Sequence, residues 1–232
     1  MATFKKLREM IQIKGNGNIV SKEIHVSSFI RLHLSGKGLF ELIQSNEEKV
    51  IVETDENLVD FFEIVNSGRT LYISADGKFR KPVYTQCIVR VFLRQIDSLY
   101  IRCDQGDIKC DHLITLQNLL EIKIQSIGNT SLNINAPAIK LLSQCQGNVT
   151  LEGKCQLLEV KNQSEGSFTS REMATDILLF KNMSVGDVKL FAEKQISISH
   201  YGEGQVNYWG NAVLKEVKQY GTGQIKHLEN IN

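Results

Sequence analysis

Chemistry on a folded chain needs carboxylates, imidazoles, thiols or hydroxyls within reach of one another, and this 232-residue sequence holds every type. Two carboxylates stand out. Glu165 and Glu203 each sit one residue before a glycine, with Val185 at the equivalent place between them. If those places stack, their backbones would lie roughly 9.6 Å apart, twice the inter-strand spacing. That is near the upper limit for an inverting glycosidase pair. Acid/base work also needs environments that perturb the two groups differently, and no third carboxylate or basic cluster converges on them. The pair therefore reads as solvated surface, with a polysaccharide-active enzyme kept as the alternative.

The other candidates are weaker. Cys87, Cys103, Cys110, Cys145 and Cys155 form no Cys-x-x-Cys pair, and no histidine lies at zinc-finger spacing. An odd count argues against a complete disulfide framework, so free, buried thiols are expected. His25, His33, His112, His200 and His227 show no ligand or triad spacing and read as surface or partly buried residues. Asp107 and Asp187 are too far apart in the repeat to chelate calcium together. The Gly-x-Gly pairs lack the third glycine of a nucleotide fingerprint, and no Gly-x-Ser-x-Gly elbow occurs. No catalytic, cofactor-binding or metal-binding residue is expected, and no cofactor.

One set of residues suggests binding instead. Cys103, Gln125, Gln144, Gln163, Met183, Tyr201 and Tyr220 each stand three residues before a recurring glycine. Stacked glutamines can form an amide ladder, and stacked tyrosines can pack face over face. Pointing outward, Gln125, Gln144, Gln163, Tyr201 and Tyr220 would make a strip suited to glycan or peptide, extended by nearby Tyr208 and Trp209. The competing reading is a ladder that only stabilises the stack.

The elements that would position these residues follow from the same glycines. Gly106, Gly128, Gly147, Gly166, Gly186, Gly204 and Gly223 are separated by 22, 19, 19, 20, 18 and 19 residues. Six residues before them stand Tyr100, Ile122, Leu141, Val160, Phe180, Ile198 and Val217, all apolar or aromatic. Eight before stand Ser98, Leu120, Ile139, Leu158, Leu178, Ile196 and Lys215, apolar in the inner five. Two after stand Ile108, Thr130, Val149, Phe168, Val188, Val206 and Ile225, whereas the position between is polar throughout. Alternation at offsets of two is strand periodicity. Each repeat thus predicts a strand, a turn at the glycine, where a positive φ is expected, and a second strand. About nineteen residues suits one coil of a parallel β-helix, in which each coil buries its apolar side against its neighbours.

Residues 11–95 are strand-rich but less regular, with apolar or alternating runs at 30–34, 49–53, 70–74 and 86–93. Residues 56–65 fit either a helical turn or a strand. The expectation is an all-β, right-handed parallel β-helix of 19–20-residue coils forming a single domain over residues 1–232. Irregular N-terminal coils (15–95) would cap regular repeat coils (96–228), because open ends expose strand edges.

Composition narrows the partners. Twenty-seven basic and 26 acidic residues leave a net charge of +1, which gives no electrostatic reason to expect nucleic acid. The densest basic run, Lys78–Lys81, is short enough to read as a solvated loop. No stretch approaches the roughly 20 apolar residues of a membrane span, and no secretion signal is readable at the N-terminus.

The N-terminal half also carries a resemblance. Gly15-Asn16-Gly17-Asn18-Ile19-Val20, Phe29 opening a strand, Ser35-Gly36, Val50–Thr54 leading into Asp55-Glu56-Asn57-Leu58, and Leu71–Ser74 together resemble the putative auto-transporter adhesin, head GIN domain family. The resemblance spans about residues 15–225 and implies a right-handed β-helix of bacterial envelope or secreted proteins. It implies an adhesin-like role in display or contact, with glycan or protein as partner, and supplies no catalytic residues to carry over. A structural stalk or self-assembly module is the further alternative.

Overall fold

A computed structural model describes residues 12–76 and 81–229. The chain is 65% strand and 3% helix, arranged as a β-solenoid of about six turns. The basic segment Lys78–Arg80 lies outside the described residues.

Alternation in the repeat half builds two stacked faces. On the first, Leu120, Ile139, Leu158, Leu178, Ile196 and Leu214 are successive parallel partners, as are Ile122, Leu141, Val160, Phe180, Ile198 and Val217. On the second, Ile108, Thr130, Val149, Phe168, Val188, Val206 and Ile225 follow one another. Every member of these columns is buried except in the last coil. Full burial of one such aliphatic side chain is worth about 1.5–3 kcal/mol, which is why the columns dictate the register.

The first coil departs from the glycine alignment by one residue. Ile122 pairs with Leu99 rather than Tyr100, Gln125 with Arg102, and Ser126 with Cys103. Three residues separate Cys103 from Gly106, where two separate Ser126 from Gly128, so the turn holds one more residue. Tyr100 therefore lies beside Lys123 instead of in the core, and Cys103 is buried instead of standing in the glutamine column. The 22-residue spacing has its own cause: Leu132 and Ile134 face Cys110 and Ile114, so the intervening residues bulge out.

The recurring glycines are small for a different reason from the one expected. Positive φ occurs only at Gly17, Gly36, Gly38, Gly68, Gly153 and Gly210 among the described residues. The turn glycines have ordinary backbone angles but no room. A Cβ on Gly147 would lie 2.2 Å from the carbonyl oxygen of Gly128, and one on Gly166 2.3 Å from that of Gly147. The polar residue after each glycine also acts between coils. Asp107 Oδ1 accepts from Asn129 N at 2.7 Å, Asn129 Oδ1 from Asn148 N at 3.0 Å, and Asn148 Oδ1 from Ser167 N at 2.9 Å.

Inside the stack runs a polar seam. Ser143 Oγ meets Ser164 Oγ at 2.7 Å, Asn162 Nδ2 donates to Asn182 Oδ1 at 3.0 Å, and Asn182 Nδ2 reaches His200 Nδ1 at 3.1 Å. His200 is wholly buried, not a surface or partly buried residue. Its place in the column below Asn162 and Asn182 faces it inward. An amide nitrogen can only donate, so His200 Nδ1 accepts and carries no proton.

The N-terminal half is built mainly of antiparallel pairs. Ile19–His25 pairs with Lys49–Asp55, which pairs with Cys87–Leu93, and Glu63–Ser67 forms a hairpin with Thr70–Ser74. Strand Arg31–Gln44 joins this part to the stack through parallel pairing with Thr70–Ser74, Cys87–Leu93 and Ser98–Thr115. Residues 56–65 take both forms foreseen, a 3-10 helix at Glu56–Phe61 and then a strand. Buried Asp55 ties the ends together: it accepts from Gly17 N and Thr85 N, each at 2.8 Å. A Cβ on Gly15 would collide with its carboxylate at 2.2 Å.

Candidate functional site

The alternation that turns Ile124 and Leu141 inward turns their neighbours outward, and the parallel register stacks those neighbours across coils. Gln125 Nε2 donates to Gln144 Oε1 at 3.0 Å, and Gln144 Nε2 to Gln163 Oε1 at 2.9 Å. Gln163 Nε2 continues to Met183 Sδ at 3.5 Å. Tyr201 and Tyr220 then stack with ring centroids 4.9 Å apart and planes 14° from parallel. All five ladder residues proposed from the sequence on this face lie in one column at the solvent surface.

Tyr100, displaced from the core by the first-coil register, stands beside Lys123 in the next column, while Arg102 pairs with Gln125, yet the Tyr100 side chain reaches across to the ladder. Its hydroxyl donates to Gln125 Oε1 at 2.6 Å. The glutamine amides are thus polarised in one direction, each accepting from one neighbour and donating to the next. Two residues earlier, Lys123, Lys161, Lys181 and Lys218 stand in the next column, with Leu142 and Ser199 at the equivalent places of the other two coils. Lys123 Nζ lies 5.2 Å from the Tyr100 ring centre and Lys181 Nζ 5.3 Å from that of Tyr201. An open depression of about 450 Å³ flanks the ladder, lined in part by Tyr100, Lys123, Lys140, Leu142, Glu159 and Lys161. Neither Tyr100 nor the lysines were singled out from the sequence. Lys123 and Lys161 were findable at offset two from Gln125 and Gln163, whereas Tyr100 was hidden by the extra residue in its turn.

Trp209 and Tyr208 do not join this strip. They end strand Val206–Trp209 on the second face and are each only 7% exposed. Trp209 is covered by Arg171, whose guanidinium carbon lies 4.5 Å from the ring centre. Tyr208 stacks on His227 at 4.6 Å. An indole held under a guanidinium is a packed side chain, with its cation–π contact already made.

Glu165 and Glu203 are exposed turn residues with exposed Val185 between them, so the column alignment is right and nothing encloses them. The cysteines are all free, four of them buried and Cys87 partly so. Burial pushes the Cys87 and Cys103 thiols up to about 12, and those of Cys110 and Cys155 to about 11, which keeps them protonated. Glu23, His25 and Glu47 bring ligand atoms within 4.8 Å of one another at the surface. Lys49 Nζ already occupies that cluster, 3.1 Å from Glu23 and 3.3 Å from Glu47. An ammonium there neutralises the charge a cation would need. Among the described residues no helix is long and apolar enough to cross a membrane.

With this geometry in hand, known proteins offer a comparison. The family model described as putative auto-transporter adhesin, head GIN domain, matches residues 28–212. No curated protein matches the chain. A putative adhesin from Bacteroides fragilis superposes with a TM-score of 0.84 at 19% identity, covering 93% of this chain and 100% of its own. A putative lipid binding protein from Parabacteroides distasonis gives 0.70 at 20%, covering 94% and 99%. A putative adhesin from Parabacteroides distasonis gives 0.67 at 20%, covering 94% and 100%. At these identities the likeness is one of fold.

Proposed function

The chain belongs to the putative auto-transporter adhesin, head GIN domain family, and from that premise we propose that it is a non-enzymatic, adhesin-like protein of the cell envelope or secreted space. It works by presenting the first face of its solenoid to a glycan or protein ligand. The observation that carries this reading is the surface column of Gln125, Gln144, Gln163, Met183, Tyr201 and Tyr220, its glutamine ladder fed by the Tyr100 hydroxyl and its tyrosines stacked. Aromatic faces and amides are what sugar rings and peptide groups use, the first for C–H contact and the second for paired hydrogen bonds. The glutamines are held by one another and Tyr201 by Tyr220, so little side-chain entropy is lost on binding. Flanking Lys123 and Lys181 favour a ligand bearing electron-rich or anionic groups.

The test is a glycan array probed with the full chain and with the double variant Tyr201→Ala/Tyr220→Ala. Tyr201 and Tyr220 are 44% and 68% exposed, so truncating them leaves the core intact. Selective binding by the parent that drops by about tenfold or more in the variant is the expected result. A folded parent that binds no glycan, or binding the variant keeps, would remove the glycan form of the reading.

A further inference from the structure

The last coil differs from those before it. Strand Val213–Gln219 lies in parallel register on Gln195–His200, with Leu214 over Ile196 and Val217 over Ile198. Leu214 and Val217 therefore continue two columns whose preceding members are buried, yet they are 44% and 42% exposed. Val213 beside them is 59% exposed, and the strand is exposed along its whole length. Among the described residues the only strand paired with it is Gln195–His200, on its inner edge. Free backbone donors and acceptors next to open apolar columns are a template for one more strand. The opposite end of the molecule carries antiparallel pairs instead.

We infer that this edge pairs antiparallel with the same strand of a second copy, giving a tail-to-tail homodimer about a two-fold axis. The argument for a second copy is self-complementarity, which an isologous contact requires. Place the axis between Lys215 and Glu216. Lys215 then faces Glu216 of the second copy, and Leu214 faces Val217, each contact occurring twice. In these two central pairs apolar meets apolar and cation meets anion, the cross-strand pairings that stabilise an antiparallel ladder, and the same axis lays Val213 against the aliphatic stem of Lys218. Lys215 is placed for this: it is the residue skipped in the pairing with Gln195–His200, which goes from Ile196–Leu214 to Ser197–Glu216. Glu216 pairs with Lys218 of its own strand at 2.6 Å through Oε1, an exposed contact that Lys215 of the second copy would join. The inference goes beyond the ligand face and does not depend on it.

Sedimentation analysis of the full chain over a wide concentration range tests this. A monomer–dimer equilibrium is expected. Lys215→Glu alone and Glu216→Lys alone each place like charges across the axis and should weaken dimerisation by about tenfold or more. The double variant Lys215→Glu/Glu216→Lys restores both pairs and should dimerise like the parent. Both positions are exposed, so unchanged thermal melting of the variants will show that the fold is retained. A parent that stays monomeric overturns the inference. So do association that single reversals leave unchanged, a double variant no better than the singles, and growth into longer species.

Discussion

At the scale of single residues, charge state and local geometry are coupled most tightly at His200. Burial lowers its pKa below the ordinary 6.5, partly offset by the backbone of Gly223. The unfolded chain therefore takes up this proton at a higher pH than the folded one. Stability contributed by the neutral ring is present above about pH 6.5 and is lost as pH falls from there toward the folded-state value. Protonation would also turn Nδ1 from an acceptor into a donor facing the Asn182 amide. Denaturant midpoints measured from pH 7 to pH 5 should fall for the parent. They should fall less for His200→Asn, which prolongs the Asn162–Asn182 ladder without a titratable ring; equal slopes would refute the assignment. None of this was legible in the sequence, where His200 has no spacing partner. Its role arises only because parallel stacking puts it under Asn182. Asp55 is the reverse case. Its run of neighbours was noticed as a family feature, but its work was not. Burial pushes its carboxyl up, yet hydrogen bonds from Thr85, Gly17 and Gln86 outweigh this and hold it below 3.8. The Gly15–Asn18 turn and the Asp55–Asn57 turn, separate motifs in the sequence, form one lock: Gly17 N meets Asp55 Oδ1, and Asn57 Nδ2 meets Lys14 O at 2.9 Å.

At the scale of the element, the strand–turn–strand coil was read correctly because its signal repeats seven times and errors at one coil are outvoted by the rest. The first coil shows the limit of that method. Aligning on Gly106 fixed the turn but missed one inserted residue, which carried Tyr100 out of the core column, put Leu99 in its place and buried Cys103 beside Ser126. The reason for the glycines was also out of reach, since sequence shows a residue type and not the neighbour above it. Their confinement makes a specific demand. Gly166→Ala, whose methyl would meet the Gly147 carbonyl at 2.3 Å, should cost about 1–3 kcal/mol as the coils are forced apart. Gly68→Asn provides the contrast: φ there is +56° with nothing near, and asparagine tolerates that region. Chemical denaturation of the pair should show a large loss for the first and a change within about 0.5 kcal/mol for the second. Equal effects would mean that conformation, not space, selects the glycines.

At the scale of the whole molecule, the two halves differ in how far the sequence could lead. In the repeat half each coil touches its sequence neighbours at a nearly fixed interval, so three-dimensional columns are also columns of the aligned text. In the first 95 residues antiparallel pairing joins segments at varying separations, and no alignment on a single residue reveals it. Strand positions there were legible and their pairing was not. The surface ladder was legible as a column, while its boundaries were set by packing that the sequence does not display, as Trp209 beneath Arg171 illustrates. The column-by-column construction has a mechanical consequence. Each coil from Leu120 onward is bonded only to the coil above and the coil below, so tension applied between the two ends of the chain loads the coils in series. The terminal strand Val213–Gln219, held on one side, should yield first, and the rest should peel in order toward the antiparallel cap. With about 19 residues per coil, each event would release about 65 Å of contour length. Single-molecule pulling should therefore give a train of evenly spaced, low-force steps followed by a higher-force rupture of the cap, and one all-or-none rupture would contradict the series picture. Such a train would dissipate load gradually while leaving the outward face of the remaining coils in place.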